Sequence, residues 1–300
     1  MSDPKNSYYL PHGTRWPFLS SLSLLILFVG LSNFLNGYSG GMVIMFTGLA
    51  LLLIMVYGWF AEVIQESESG IYNAQVDISF RWGMAWFIFS EVMFFAAFFG
   101  ALYYARELSL PWLGGEGAKT PTKLILWPHF ENIWPSNGPA NIGGDFTSMR
   151  ATGIPAMNTL ILLTSGLTVT WAHHGLKENK RKQLINGLIA TVFLGFLFVG
   201  LQAYEYMHAY SELNLKLSTG IYGSTFYMLT GFHGFHVTLG AIMLTVILFR
   251  CINGHFTKDN HFGFEAVAWY WHFVDVVWLG LFVFCLLYTS PSPRDATLSR

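Results

Sequence analysis

A single carboxylate, Glu91, lies in the apolar stretch SEVMFFAAFFG. A glutamate can donate or accept a proton, so this residue is the first candidate for chemistry. The predicted helix around it opens at Arg81, and 1.5 Å per residue puts Glu91 about 15 Å along it, near the middle of a hydrocarbon core about 30 Å thick. An ionised acid facing lipid at that depth costs at least about 2.5 kcal/mol. Glu91 must therefore face a partner inside the protein or stay protonated. Its position leaves two interpretations open, a neutral packing residue and a proton-active group.

Two histidine pairs have helical spacing. His233 and His236 are three residues apart and share one helix face. Two histidines without a third ligand make a poor metal site, so we expect hydrogen-bonded core histidines. His272 and Asp275 have the same spacing, and a hydrogen bond across one turn is the simplest account of them.

The remaining polar residues predict little chemistry. Glu205 lies near the outer end of a predicted helix, where we expect its side chain to reach the membrane surface. The stretch WAHHGLKENKRK is typical of a solvated loop beside anionic headgroups. We find no GxSxG, Walker or HExxH motif and no set of haem or copper ligands. The sequence therefore predicts neither a catalytic site nor a metal site in this chain.

The elements that position these residues are membrane helices. The chain is 53% hydrophobic and 11% charged, with 27 Phe and 11 Trp, whereas soluble domains carry about 25% charged residues. The net charge of −1 gives no basic patch for nucleic acid, and two cysteines give no disulfide framework. Seven stretches are long enough to span a bilayer. They are 16–34, 42–60, 82–104, 154–171, 184–204, 222–249 and 266–284.

The spans divide into a hairpin and a bundle. Residues 1–61 hold the first two spans, joined by the glycine-rich NGYSGG, and residues 62–80 form an inside linker. Residues 81–284 hold the other five, with a long outside loop at 106–153. The class is an all-α polytopic membrane protein, a two-helix hairpin plus a five-helix bundle, with lipid filling the cleft between them. No internal repeat supports an inverted-repeat transporter.

The charge distribution predicts the side of the membrane on which each end of the chain lies, and the sequence of the last residues predicts a non-native tail. Lys and Arg are concentrated in loops that share a side with the N-terminus, above all KENKRK, so the N-terminus is predicted inside and the C-terminus outside. Residues 285–300 begin with CLLYTSPSPR, which resembles a translated sequencing adapter. We therefore predict a non-native tail there and a native end shortly after Phe284.

Four stretches carry a family resemblance: RWGMAWFIFSEVMFFAAFF, TWAHHGL, YGSTFYMLTGFHGFHV and HFTKDNHFGFEAVAWYWHFVDVVWL. Together they resemble subunit III of cytochrome c oxidase, over nearly the whole chain to Phe284. The first two spans favour the cytochrome c branch, because related quinol-oxidase subunits lack them. The resemblance implies a subunit of an aa3-type oxidase that reduces dioxygen to water and pumps protons. Haem a and copper are then expected in subunits I and II, with no redox centre in this chain.

The resemblance also implies roles for individual residues. Glu91 matches a buried glutamate that reacts with hydrophobic carbodiimides, a reaction of the protonated acid. Phospholipid contacts are implied for Trp59 and Glu66 after the second span, and for Arg250 and His255 after the sixth. The sequence departs from the family pattern where Ala61 and Gln65 replace common arginines, and where Tyr72–Asn73 replaces a histidine region. One headgroup site is therefore weaker here or satisfied differently.

Three functions follow as hypotheses. The first is a non-catalytic, lipid-binding subunit that sustains proton uptake and turnover lifetime of subunit I. The second is a proton channel or secondary transporter acting alone, which a mid-membrane acid with no paired charge disfavours, although Asp275 is a candidate partner. The third is a passive scaffold. The long outside loop and the departures after the second span favour a bacterial plasma membrane over the mitochondrial inner membrane.

Overall fold

The chain is built from long apolar helices. A computed structural model describes residue 9, residues 13–287 and residue 289, and these residues contain helices and no strand. Seven of the helices are long and apolar enough to cross a membrane, which confirms the seven predicted spans. The bounds are α1 Trp16–Leu35, α2 Gly41–Glu68, α3 Ala74–Tyr103, α4 Leu110–Leu113, α5 Thr120–Leu126, α6 Ile154–Lys177, α7 Arg181–Ser211, α8 Gly220–Asn253 and α9 Phe262–Leu281.

Several helices continue past their apolar core. Helix α2 runs to Glu68 and α3 begins at Ala74, so helix occupies most of the stretch predicted as an inside linker. A π-helical turn, Tyr104–Ser109, connects α3 to α4. Another, Phe282–Leu287, extends α9 into the predicted tail. Residue 288 and residues 290–300 of that tail lie outside the described residues, so its non-native origin stays a prediction.

The first compact unit, residues 1–83, contains the α1–α2 hairpin. Glycines make the helix contact close: Gly30 lies against the backbone of Met45, and Gly48 lies against the backbone of Leu27. Small residues at such points let two helix backbones approach within a membrane. The predicted glycine turn contains Gly37 and Gly40, both at positive φ, 75° and 90°.

The second unit, residues 84–300, has its core around α9. Trp271 and Trp278 are fully buried, and each indole N–H donates to a hydroxyl on α6: Trp271 to Ser165 Oγ and Trp278 to Thr159 Oγ1, both at 2.9 Å. The Trp271 ring lies against Gly195 of α7 and Gly240 of α8. One side chain of α9 thereby contacts three neighbouring helices.

The long loop predicted outside packs against the second unit. Asn214 Nδ2 donates to the carbonyls of Gly143 and Asp145, at 3.0 and 2.9 Å. The ring of Tyr222 is stacked on Phe146 with centroids 5.4 Å apart, and its backbone N–H donates to Ser136 O at 3.1 Å. The loop is therefore held by the α7–α8 connection and by the first turn of α8.

Candidate functional site

Glu91 and His236 meet inside the second unit. Helix α3 supplies Glu91 and α8 supplies His236, and Glu91 Oε2 lies 3.0 Å from His236 Nε2. The other ring nitrogen of His236, Nδ1, lies 2.6 Å from the carbonyl oxygen of Phe232, one turn earlier in α8. A carbonyl oxygen only accepts, so Nδ1 carries the N–H. Nε2 then meets Glu91 through a single shared proton, which belongs either to the acid or to an imidazolium.

Aromatic rings pack against His236, one member of the Glu91–His236 pair. The His236 ring has Phe95 at 5.1 Å and Tyr270 stacked at 6.2 Å, measured between ring centroids. The side chains are 22% exposed for Glu91 and 9% exposed for His236. An ion pair gains little in such surroundings, because desolvation of two charges offsets their attraction. A protonated Glu91 that donates to a neutral His236 and an imidazolium that donates to a carboxylate both fit this distance, and the first places no charge in the apolar surroundings.

The partner of Glu91 differs from the one predicted from the sequence. The candidate partner Asp275 is not the group that contacts Glu91, and the acid is paired, with His236. The two residues are 145 positions apart. Each was identifiable from its own helix, but no local spacing connects them.

Asp275 instead belongs to the contact between α9 and α6. Its Oδ2 lies 3.5 Å from His272 Nδ1 and packs against Gly166. His272 Nε2 lies 3.2 Å from Thr170 Oγ1. His233 is buried, with Nε2 3.2 Å from Val274 O. Both histidines therefore hold α9 to its neighbours.

The exposure of Glu205 differs from the prediction. We expected a side chain reaching the membrane surface, but the residue is only 4% exposed. It lies on the buried face of α7 with Phe198, Gln202 and Ala209, at spacings of four, three and four residues. This helix face, rather than nearness to the helix end, determines where the side chain points.

The phospholipid candidates after α2 lie in the first unit. Trp59 is 48% exposed. Glu66 accepts hydrogen bonds from the phenols of Tyr9 and Tyr72, each at 2.6 Å. Burial, and then the hydrogen bond to Glu66, raise the pKa of Tyr72 above its ordinary value. Tyr72, which the sequence predicted to be a departure from the family pattern, thus donates a hydrogen bond to Glu66 from within the chain.

The candidates after α8 lie in the second unit. The Arg250 guanidinium is stacked over the Phe256 ring, 4.3 Å from its centroid. His255 follows the left-handed Gly254 that ends α8, and its backbone N–H donates to Arg250 O at 3.0 Å. Arg181 joins this end of the helix by donating to Ile252 O at 2.6 Å. A cation on an aromatic ring beside a helix end suits a phosphate headgroup.

One polar cluster was not predicted from the sequence. His173 at the end of α6, His261 just before α9 and Glu265 in the first turn of α9 bring their ligand atoms within 4.8 Å of one another. The signal available was the four-residue spacing of His261 and Glu265. Nothing in the sequence brings His173 to them, because this requires α6 to pack beside α9.

Comparison with known proteins gives one consistent family. The family model described as "Cytochrome c oxidase subunit III" matches residues 6–290. A protein of Carassius auratus described as "Cytochrome c oxidase subunit 3" is 40% identical over 284 residues, 94% of this chain and 97% of its own. A protein of the same description from Prototheca wickerhamii is 41% identical over 285 residues, 95% and 98% of the two chains. The protein so described from Homo sapiens is 40% identical over 284 residues, 94% of this chain and 97% of its own.

Proposed function

Because the chain belongs to the cytochrome c oxidase subunit III family and is an integral membrane subunit of that oxidoreductase complex, we propose that it supports the subunits that hold the redox centres and does not itself catalyse oxygen reduction. In this role it lies beside subunits I and II of an aa3-type oxidase, binds structural phospholipid, and sustains proton uptake and turnover lifetime. The observation that carries the proposal is the Glu91–His236 pair.

The pair acts as a lock between two helices. It joins α3 to α8 through one hydrogen bond with a single proton, in surroundings where an unpaired acid would be costly. Flanking rings, such as Phe94 against Phe232 at 5.0 Å, continue the same contact. A lock of this kind keeps the bundle closed during repeated turnover of the neighbouring subunit.

The phospholipid role rests on four residues. Trp59 offers an indole N–H, and Arg250 and His255 offer donors suited to phosphate. Glu66 orders Tyr9 and Tyr72 around the same region of the first unit. The membrane that the sequence favours is the bacterial plasma membrane, and this assignment rests on the outside loop and the departures after α2.

Replacement of Glu91 tests the lock. In the purified complex, Glu91→Gln keeps a donor for His236, so the initial rate of oxygen reduction should stay within about twofold of wild type. Glu91→Ala removes the bond, and its activity should decay over fewer turnovers although it starts near the wild-type rate. Oxygen consumption followed to inactivation measures both quantities. Immediate loss of most activity in Glu91→Gln would contradict a supporting role.

A proton channel is the second candidate, and one observation favours it. Two titratable pairs, Glu91–His236 and His272–Asp275, lie in the same bundle. Vesicles containing the complex would then leak protons passively, and Glu91→Gln would slow the leak. We expect equal leak rates in wild type and variant, because the rings of Phe94, Phe95 and Phe273 lie beside His236 and cannot carry a proton.

The response of turnover lifetime to lipid removal distinguishes a passive scaffold from a lipid-binding subunit that supports turnover. If bound phospholipid supports turnover, delipidated complex should inactivate sooner, and re-addition of phospholipid should restore the lifetime. A lifetime that does not respond to delipidation would favour the scaffold.

A further inference from the structure

We infer that the chain holds a zinc ion between His173, His261 and Glu265. The three residues lie within the second unit, where the end of α6 meets the start of α9. The proposal is independent of the proposed function, and it departs from our expectation of no metal site in this chain.

The side chains converge on one carboxylate oxygen. Glu265 Oε1 lies 3.3 Å from His261 Nε2 and 3.7 Å from His173 Nε2. The cluster is sheltered: the side chains of His261, Glu265 and His173 are 8%, 12% and 20% exposed. Both Nε2 atoms are buried and have no hydrogen-bond partner among the described residues.

The hydrogen bonding of His261 indicates that a cation belongs here. Its Nδ1 lies 3.0 Å from the carbonyl oxygen of Thr257, which only accepts, so Nδ1 carries the N–H. In the neutral ring Nε2 then presents a lone pair to the carboxylate of Glu265. Two acceptors facing each other at 3.3 Å repel unless a cation or a proton lies between them. His173 brings a second ring nitrogen to the same oxygen, which a single proton would leave unsatisfied.

Zinc fits this set of ligands. Tetrahedral zinc, with bonds of about 2.0 to 2.2 Å, holds its ligand atoms about 3.3 to 3.5 Å apart. The His261–Glu265 distance already has this value, and the His173–Glu265 distance exceeds it by little. Imidazole nitrogen favours zinc over magnesium or calcium, which prefer oxygen. Two histidines and a glutamate supply three ligands and leave a fourth position for water.

Contacts with neighbouring residues already orient the side chains that would bind zinc. The Thr257 carbonyl fixes the tautomer of His261, the usual role of an outer partner at a zinc site. The His173 ring is stacked on Phe264, with centroids 5.2 Å apart. A bound ion would join the end of α6 to the beginning of α9 and so act as a structural tie.

Metal content of the purified oxidase complex tests the site. Wild-type complex, dialysed against chelator and then equilibrated with zinc chloride alone, should retain about one zinc ion more than His173→Gln or Glu265→Gln. The control is His174→Gln, since this neighbouring histidine is exposed and outside the cluster, and it should match wild type. Mass spectrometry of digested complex counts the zinc, and copurification of the partner subunits verifies assembly.

Competition with a chromophoric chelator measures the affinity of each complex for zinc. Loss of one ligand should weaken zinc binding by more than the roughly 10- to 100-fold that loss of an outer partner costs. Equal zinc content and equal affinity in all four complexes would overturn the site. Because Glu265→Gln is nearly isosteric, it provides the test even if a histidine variant fails to assemble.

Discussion

At the scale of single residues, the Glu91–His236 hydrogen bond depends on which group holds one proton. In the neutral pair, wild-type complex should show the C=O stretching band of a protonated carboxylic acid in infrared difference spectra. Glu91→Gln should lose this band. His236→Phe should shift it, because the acid loses its acceptor. If the band were unchanged in Glu91→Gln, another acid would produce it. If wild-type complex showed no such band, Glu91 and His236 would form an ion pair.

Tyr72 gives a prediction with a defined pH dependence. Its pKa is raised above the ordinary value of about 10, by burial and then by its bond to Glu66. A raised folded-state pKa means that this contribution to stability is present below the unfolded pKa and is lost as the pH rises through the folded pKa. The difference in melting temperature between wild type and Tyr72→Phe should therefore persist from pH 7 to about pH 10. A difference that stayed constant as the pH rose well above 10 would contradict the raised pKa, because a phenol with the same pKa in the folded and unfolded states contributes no pH-dependent stability.

The sequence identified the candidate acid but not its partner. Glu91 is identifiable because an acid in an apolar run is costly wherever it points. Its pairing with His236 depends on which faces of α3 and α8 meet, and this is a property of the packed bundle. The same reason accounts for the missed His173, whose ring reaches Glu265 only after α6 and α9 pack together.

At the scale of elements, the indole of Trp271 occupies the space left by two glycines. A Cβ atom at Gly240 would lie 2.8 Å from the ring, closer than real contacts allow. Gly240→Ala should therefore destabilise the bundle by about 1 to 3 kcal/mol, the usual cost of overpacking. Thermal unfolding of the detergent-solubilised complex measures this change.

The matched control lies in the same helix. A Cβ atom added at Gly234 would meet no atom of a neighbouring residue within 4 Å, so Gly234→Ala should leave the melting temperature unchanged or raise it. Equal melting temperatures for the two variants would show that α8 can move away from α9 without cost.

The helices were predictable as apolar spans, and their ends were not. Hydropathy placed the second span at 42–60, whereas α2 runs to Glu68, because its last turns are polar and lie beyond the apolar run. The third span was placed at 82–104, whereas α3 begins at Ala74. Backbone hydrogen bonding continues a helix after its hydrophobicity has ended, so a transfer scale shortens such elements.

At the scale of the whole molecule, the charge bias predicts which loops face which side. Lys180 lies in the loop predicted inside, and Glu116 lies in the loop predicted outside; both are exposed. With Lys180→Cys, an impermeant maleimide should label the complex only from the inner face of sealed membranes, and with Glu116→Cys only from the outer face. Wild type serves as the background control, since Cys251 and Cys285 are both buried. Reversed labelling would invert the predicted topology.

The loop predicted outside is ordered by contacts within its own chain, through Asn214 and the ring of Tyr222. Its conformational entropy is therefore lost when this subunit folds, not when the complex assembles. A neighbour that binds this loop meets a preorganised shape, and more of the contact energy remains available as affinity.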